Sequence, residues 1–374
     1  MTAPQAGDLR DMKMADVARL YLRPVPIFAP TGRVGARIGG GWAGFNAVEV
    51  ITRDGADITR AIASLDDVQM WSRHQGRDAA RHVDATLSRV TAPRTAFAGV
   101  ALDQPRIMGI VNATPDSFSD GGDYASPEAA LTHGLTMAKD GAAFIDIGGE
   151  STRPGSNPVD ESTERRRVLP VIQVLHESGI DAVISIDTRK AGLMAEAVEV
   201  GAGVINDISA LTYDDKAMET VVRLGVPVVL MHSQGDPKSM QEKPVYAHAP
   251  TDIYDHLSAR LQACEAAGIP RDRICIDPGI GFGKGLEHNL AILADLALYH
   301  GLGCAVLTGV SRKSFIGHLS GQEAPKERLP GSLAAGLWAV AQGVQIIRVH
   351  DVAATKQALA IWQGIAGSED CGHG

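Results

Sequence analysis

Four cysteines in 374 residues, Cys264, Cys275, Cys304 and Cys371, leave the chain without a CxxC pair or a His/Cys cluster at zinc spacing. That excludes a disulfide framework and a structural metal, and makes a reducing, cytoplasmic setting the expectation. Positive charge is also short. The 35 basic residues face 44 acidic ones, a net −9, which argues against a nucleic-acid or anionic-membrane surface. The first 30 residues carry Asp8, Asp11 and Asp16 and no continuous apolar core, so they do not read as a secretory signal. Leu329–Ile347 has 19 residues without a charge, but Pro330, Ser332, Gln342, Gln345 and three glycines divide it into a buried helix and strand rather than a membrane span. Gly32–Gly41 is followed by no GK[ST], so it is not a phosphate loop of that kind. Ser311 has no base beside it in sequence, which leaves a Ser-His-Asp hydrolase unsupported.

What is present is a large core. Apolar residues make up 45 % of the chain and charged ones 21 %, which excludes disorder, fibres and coiled coil. The length fits two domains, or one large domain with an appendage. Charge shifts near residue 104, with 13 basic and 11 acidic residues up to there against 22 and 33 beyond. The division expected is a leader over 1–104, a small α/β appendage, and a main body over 105–374. In the leader, Arg23–Pro30 is extended and, with Pro24 and Pro26, at best an edge strand. Asn46–Thr59 reads as a hairpin turning at Asp54-Gly55, and Ser64–Val90 as one helix with a Ser cap and Asp66 and Asp67 in its first turn. Thr91–Thr95 reads as a linker.

From Arg106 an apolar run followed by a helical segment occurs eight times. The runs are Ile107–Val111, Ala143–Ile147, Val183–Ile186, Gly203–Ile205, Pro227–Met231, Ile274–Ile276, Ala305–Thr308 and Ile346–Val349. Continuous apolar strands alternating with amphipathic helices imply parallel pairing with both faces covered. Eight units in this length match a (β/α)8 TIM barrel with an N-terminal α/β extension. The doubly wound alternative lacks a GxGxxG turn after Val111.

Each run ends in polar residues, which collects ionisable and amide groups on the C-terminal face where barrels place active sites. Asp187, Asn206 and Asp277 suit a guanidine-like edge of a flat heterocycle, such as a 2-amino-4-oxo pteridine. Asp187 is also readable as a cap for a helix starting near Arg189. Arg153, Lys313, Arg348, His350 and Asn112 suit an anionic ligand, Asn112 offering a neutral oxygen to Mg²⁺. A surface pair between Arg348 and Asp351, and a core role for His350, stand as alternatives. The polar loops 112–122 and 149–158 are placed to close over a site, or are ordinary connections. Met231 and Phe282 read as apolar walls, and Gly279–Lys284 as a loop pressing backbone against a flat ligand.

The segments IMGIVNATPDSFSDGG (107–122), IDIGGESTRPG (145–155), ISIDT (184–188), VINDI (204–208), IDPGIGFGK (276–284), GVSRKS (309–314) and IRVHDV (347–352) together resemble the dihydropteroate synthases, over about residues 105–366. The resemblance implies a transferase that joins 6-hydroxymethyl-7,8-dihydropterin diphosphate to 4-aminobenzoate and releases pyrophosphate, with Mg²⁺, in folate biosynthesis, and that sulfonamides target. It implies pterin contacts from Asp187, Asn206, Asp277 and Lys313, with Met231 and Phe282 lining the pocket. It implies diphosphate contacts from Asn112, Thr152, Arg153, Arg348 and His350, with Asn112 at the metal. Phe118, Pro154 and Ser311 would shape the aminobenzoate site. Asp187, Lys313 and Asp277 would carry catalysis, by an SN1-like path that needs no protein nucleophile. A homodimer is the family expectation. Ser233 departs from the Met-His-Met-Gln-Gly run expected after the fifth strand. Two other readings share the motifs: a non-catalytic pterin-binding paralogue, and a methyltetrahydrofolate-binding methyltransferase module.

Overall fold

The computed structural model describes residues 7–12, 14, 16–27, 35–94, 96–113, 127–151, 158–235, 244–322 and 324–366. The leader opens with β1 (Leu20–Ile27), β2 (Ala36–Arg37), β3 (Gly44–Asp54) and β4 (Asp57–Ser64). In this antiparallel sheet β3 is central, with β1 on one side and β4 and β2 on the other. Pro24 and Pro26 sit on β1, the edge, where a missing N–H breaks no ladder. The β3–β4 hairpin closes through Gly55-Ala56 between paired Asp54 and Asp57, with Gly55 at φ 60°.

Ser64 caps a helix as its sequence implies, its Oγ accepting from Asp67 N at 3.2 Å. The single helix expected over Ser64–Val90 is two helices, α1 (Leu65–Gln75) and α2 (Arg77–Thr91). Gly76 separates them at φ 119° and ψ 174°, a conformation that only glycine adopts without strain. A short hairpin, β5 (Ala96–Phe97) with β6 (Val100–Ala101), then leads into the barrel.

The eight barrel strands are β7 (Arg106–Asn112), β8 (Phe144–Gly148), β9 (Val183–Asp187), β10 (Val204–Asp207), β11 (Val228–Met231), β12 (Ile274–Asp277), β13 (Ala305–Thr308) and β14 (Ile346–Val349). They close in sequence order, all parallel. Around them run α3 (Pro127–Lys139), α4 (Glu161–Glu177), α5 (Ala191–Glu199), α6 (Ala217–Leu224), α7 (Ala249–Ala267), α8 (Leu286–Ala294), α9 (Ser314–Ser320), α10 (Leu329–Ala341) and α11 (Val352–Ala366). The helical segment expected over Leu286–Leu298 stops at Ala294 and continues as a 3-10 turn, Leu296–Leu302. No helix of the described residues is long and apolar enough to cross a membrane, and Leu329–Ile347 divides into α10 and β14.

Met108, Phe144, Val204, Val229, Cys275, Leu307 and Ile346 pack together inside the barrel with Phe97 and Leu102. Phe97 meets Phe144 with ring centroids 6.1 Å apart, so the β5–β6 hairpin plugs the end where the strands begin. That leaves the opposite end for chemistry.

The leader has its own core, including Leu22, Phe45, Val50, Val68, Val83 and Val90. It also leans on the barrel. Tyr21 and Ile51 pack on Leu298, Trp42 Nε1 donates to Val340 O at 2.9 Å, and Arg94 donates to His300 O at 2.9 Å and Cys304 O at 3.2 Å.

Candidate active site

Because the strands are all parallel, their last residues gather around one mouth of the barrel. Asn112, Asp187, Met231 and Asp277 end β7, β9, β11 and β12, Asn206 is one residue short of the end of β10, and Arg348 lies in β14 with His350 just beyond. Side chains alternate along a strand, so one face of each enters the barrel. On β10 this separates two neighbours. Asp207 turns away and organises the next turn, accepting from Ser209 N at 2.7 Å and Leu211 N at 3.0 Å. Asn206 faces in and donates to Asp146 Oδ2 at 3.0 Å.

Asp146 is the residue that sequence reasoning missed. It lies inside an apolar run, two residues before the end of β8, and is fully buried. Ser185 Oγ donates to it at 2.6 Å and Arg348 Nε at 2.7 Å. The second arm of the same guanidinium, Nη2, donates to Asp187 Oδ2 at 2.8 Å. An acidic residue in an apolar strand was the available signal, since buried charge requires a partner.

Two alternatives left open by the sequence are decided here. Asp187 does not cap α5, whose cap residue is Lys190, and Ala191 N donates to Asp214 at 2.9 Å instead. Arg348 is no surface pair with Asp351, which Arg312 holds at 2.6 Å.

The charges of this ring act on one another. Burial pushes the Asp187 carboxyl up to about 7, against the lowering pull of Arg348. Burial also pushes Asp277 up to about 6, opposed by its hydrogen bond from Gly279 N at 2.7 Å and by Lys313, Lys284 and Arg348. Lys313 is brought down to about 8 by burial and Arg348, although Asp277 and Asp187 favour its charged form. Its Nζ stands 4.2 Å from the centroid of the Phe282 ring.

The loop after β12 is held from below. Gly279, Gly281 and Gly283 have φ of 70°, 84° and 63°. A Cβ on Gly279 or Gly283 would collide with the carbonyl oxygens of His232 and Gln234, so these glycines press the loop against the one after β11. Lys284, buried, donates to Phe282 O at 2.9 Å and His232 O at 3.2 Å. Burial and Lys284 drive His232 down to about 2, so its ring is neutral.

Beyond the next two strands, β13 and β14, Ser311 and His350 meet, which nothing in their sequence positions announced. Ser311 Oγ lies 3.0 Å from His350 Nδ1 and accepts from His350 N at 3.2 Å. Glu150, Arg189, Lys190 and Glu164 form a second buried charge group beside the ring. Glu150 reaches Arg189 and Lys190 at 3.0 Å each, and Lys190 also bonds Glu164 and, at 2.7 Å, Val159 O. Phe118, Thr152, Arg153 and Pro154 lie outside the described residues.

Among the described residues no group of three His, Cys, Asp or Glu gathers as a metal cluster. Asn112 gives a half-buried neutral oxygen donor at the end of β7, level with Gly148 of β8. One such donor fits Mg²⁺, which keeps most of its waters and leans on substrate phosphates. The ring as a whole offers buried acceptors for a flat hydrogen-bonding ligand, with cations beside them for an anionic tail.

The family model for pterin binding enzymes matches residues 108–350. The dihydropteroate synthase of Escherichia coli strain K12 is 45% identical over 265 residues, 70% of this chain and 93% of the relative. The Xanthomonas albilineans dihydropteroate synthase with 4-aminobenzoic acid superposes with a TM-score of 0.67 at 48% identity, covering 71% of this chain and 94% of that one. The same organism's enzyme in complex with 7,8-dihydropteroate gives 0.64 at 46% identity, covering 71% and 95%.

Proposed function

The chain belongs to the pterin binding enzymes, as a dihydropteroate synthase that joins a dihydropterin diphosphate to 4-aminobenzoate, and from this premise we propose how its residues divide the reaction. The observation that carries the proposal is the Arg348 guanidinium held between Asp146 and Asp187, within the field of Asp277 and Lys313.

Asp277 accepts from the amino edge of the pterin, a pairing that needs its carboxylate ionised. Asn206, its amide N–H held by Asp146, offers its carbonyl oxygen, and Lys313 donates to the pterin's own oxygen. Met231 and Phe282 confine the ring plane. Arg348, His350 and Asn112 take the diphosphate, with Thr152 and Arg153 beside them. Asn112 would hold Mg²⁺ together with the diphosphate, and the ion would supply charge to offset that of the leaving group.

The C–O bond to the diphosphate breaks first, and pyrophosphate leaves with the bonding pair. The methylene cation that remains is conjugated with the pterin, and Asp187, with Asp277, stabilises it electrostatically. The aniline nitrogen of 4-aminobenzoate attacks that carbon and then loses its proton. Ser311, with Phe118 and Pro154, orients the aminobenzoate. No protein nucleophile takes part.

Single-turnover pyrophosphate release tests this division. Asp187 is a pterin contact as well, so Asp187→Asn should slow the chemical step more than it weakens pterin binding, and an unchanged rate would overturn the role given to Asp187.

The proposal extends to organisation. The chain divides into a leader, 1–104, and a catalytic barrel, 105–374. It works in the cytoplasm as a homodimer, for which the exposed Leu319, Trp338, Ile361 and Ile365 on α9, α10 and α11 provide apolar area. Sedimentation equilibrium tests the dimer, and a monomer at micromolar concentration would refute it.

A further inference from the structure

The leader lies outside the matched stretch 108–350, and no role in the reaction above requires it. Besides its contacts with Leu298, His300, Cys304 and Val340, it holds the barrel at the start of α7. Arg53 of β3 forms an ion pair with Asp252 and donates to Thr251 Oγ1 at 3.3 Å. Arg60 of β4 places Nη2 3.2 Å from His248 Nε2, and Nη1 3.1 Å from both Glu49 and Asp295. His248 is the residue before α7, and its other ring nitrogen lies 3.0 Å from Thr251 Oγ1.

Two residues earlier, Tyr246 OH donates to Gly283 O at 2.9 Å. Gly283 follows Phe282, the ring beneath Lys313 Nζ. Gly283 also has no freedom to drift on its other side, where it abuts the Gln234 carbonyl. A line therefore runs from the leader's Arg60 to His248, along the backbone to Tyr246, and from its hydroxyl to Gly283 and the wall of the pocket.

We propose that the leader is a positioning element for the pterin site, in which Arg60 and Arg53 fix residues 246–252 so that Tyr246 holds the Gly283 carbonyl and sets the Phe282 wall. Arg60 and Tyr246 touch no reacting atom and act through Gly283. The inference rests on the assignment of Phe282, Lys313 and Asp277 to the pterin.

A double-mutant cycle on the full chain tests it. Arg60→Ala and Tyr246→Phe should each raise KM for the pterin diphosphate about three- to tenfold. KM for 4-aminobenzoate should stay within about twofold, and the double variant should be no worse than the poorer single one, because both break the same line. Arg60→Lys should recover part of the loss. Multiplying effects, equal rises in both KM values, or an unchanged pterin KM would overturn the proposal. Arg23 lies 2.7 Å from Glu49 and 3.5 Å from Asp295, so those acids keep a cation in Arg60→Ala. Should that variant still fail to fold, Arg60→Lys against Tyr246→Phe closes the same cycle. Asp277→Asn separates the two levels. If it leaves pterin binding intact, the site assignment has failed. If it abolishes binding while the cycle shows no coupling, only the role of the leader has failed.

Discussion

Arg348 Nη2 stands 2.8 Å from Asp187 Oδ2 although their strands, β14 and β9, are separated in the barrel by β7 and β8. The guanidinium thus crosses the mouth, and its Nε binds Asp146 on the way. A cation from the last strand and acids from the second and third become one charge system, so a change in any member reaches the others.

Replacing Arg348 by Ala leaves the fully buried Asp146 with only Ser185 and Asn206 as partners among those described. Removing one side of a buried ion pair costs about 3 to 5 kcal/mol, so a clear fall in the urea midpoint is expected. Isothermal calorimetry should show the pterin diphosphate losing far more affinity than dihydropteroate, which carries no diphosphate. Equal losses for both would contradict the assignment.

Asp277 yields a prediction about pH. Its carboxyl has an ordinary value of 3.8 and a folded value of about 6, raised chiefly by burial. An acid raised on folding gives stability that is fully present below pH 3.8 and lost as pH rises through 6. Asp277→Asn removes that loss, and should therefore melt higher than the parent at pH 7.5, by the equivalent of about 1 to 3 kcal/mol. Near pH 4 the two should converge. The same variant should not bind pterin, because one acceptor has become a donor.

The parent enzyme should show the matching kinetic limb. Asp187 and Asp277, raised to about 7 and about 6, must both be ionised, so below pH 6 kcat/KM for the pterin substrate should fall by more than about tenfold per pH unit. A flat profile from pH 7 to pH 5 would show that Asp277 does not bind in its ionised form.

Lys190 is the hub of the second buried group, joining Glu150, Glu164 and the Val159 carbonyl. Lys190→Met leaves Glu164 buried without its cation and should cost about 3 to 5 kcal/mol by chemical denaturation. Lys190→Arg should keep most of that stability. Equal stability of the Met variant would show the group to be dispensable for folding.

Some of this molecule is written locally. Val183–Ile186 or Ala305–Thr308 reads as a buried parallel strand because both its faces are covered, which makes such a strand apolar along most of its length. Asp187 and Asp277 were visible because polarity begins abruptly where each strand stops, and Arg348 because it is a charge one residue from the end of β14. Asp146 was not, since it lies within a run, and whether it faces the lumen or the helices depends on register with β7 and β9. Gly76 was not, because a glycine between helix-forming residues is often tolerated, and only its φ of 119° divides α1 from α2.

The amino-acid sequence by itself determined the eightfold alternation, the face on which chemistry gathers and the family to which the motifs point, because each depends on periodicity and on residues adjacent in the chain. Only the tertiary structure decided which charges pair. Arg348 chooses Asp146 and Asp187 over the nearby Asp351, and Arg60 finds His248 and Asp295 across 188 and 235 residues of chain. A salt bridge is selected by the distance and dielectric around its partners, and closing the barrel and docking the leader create both.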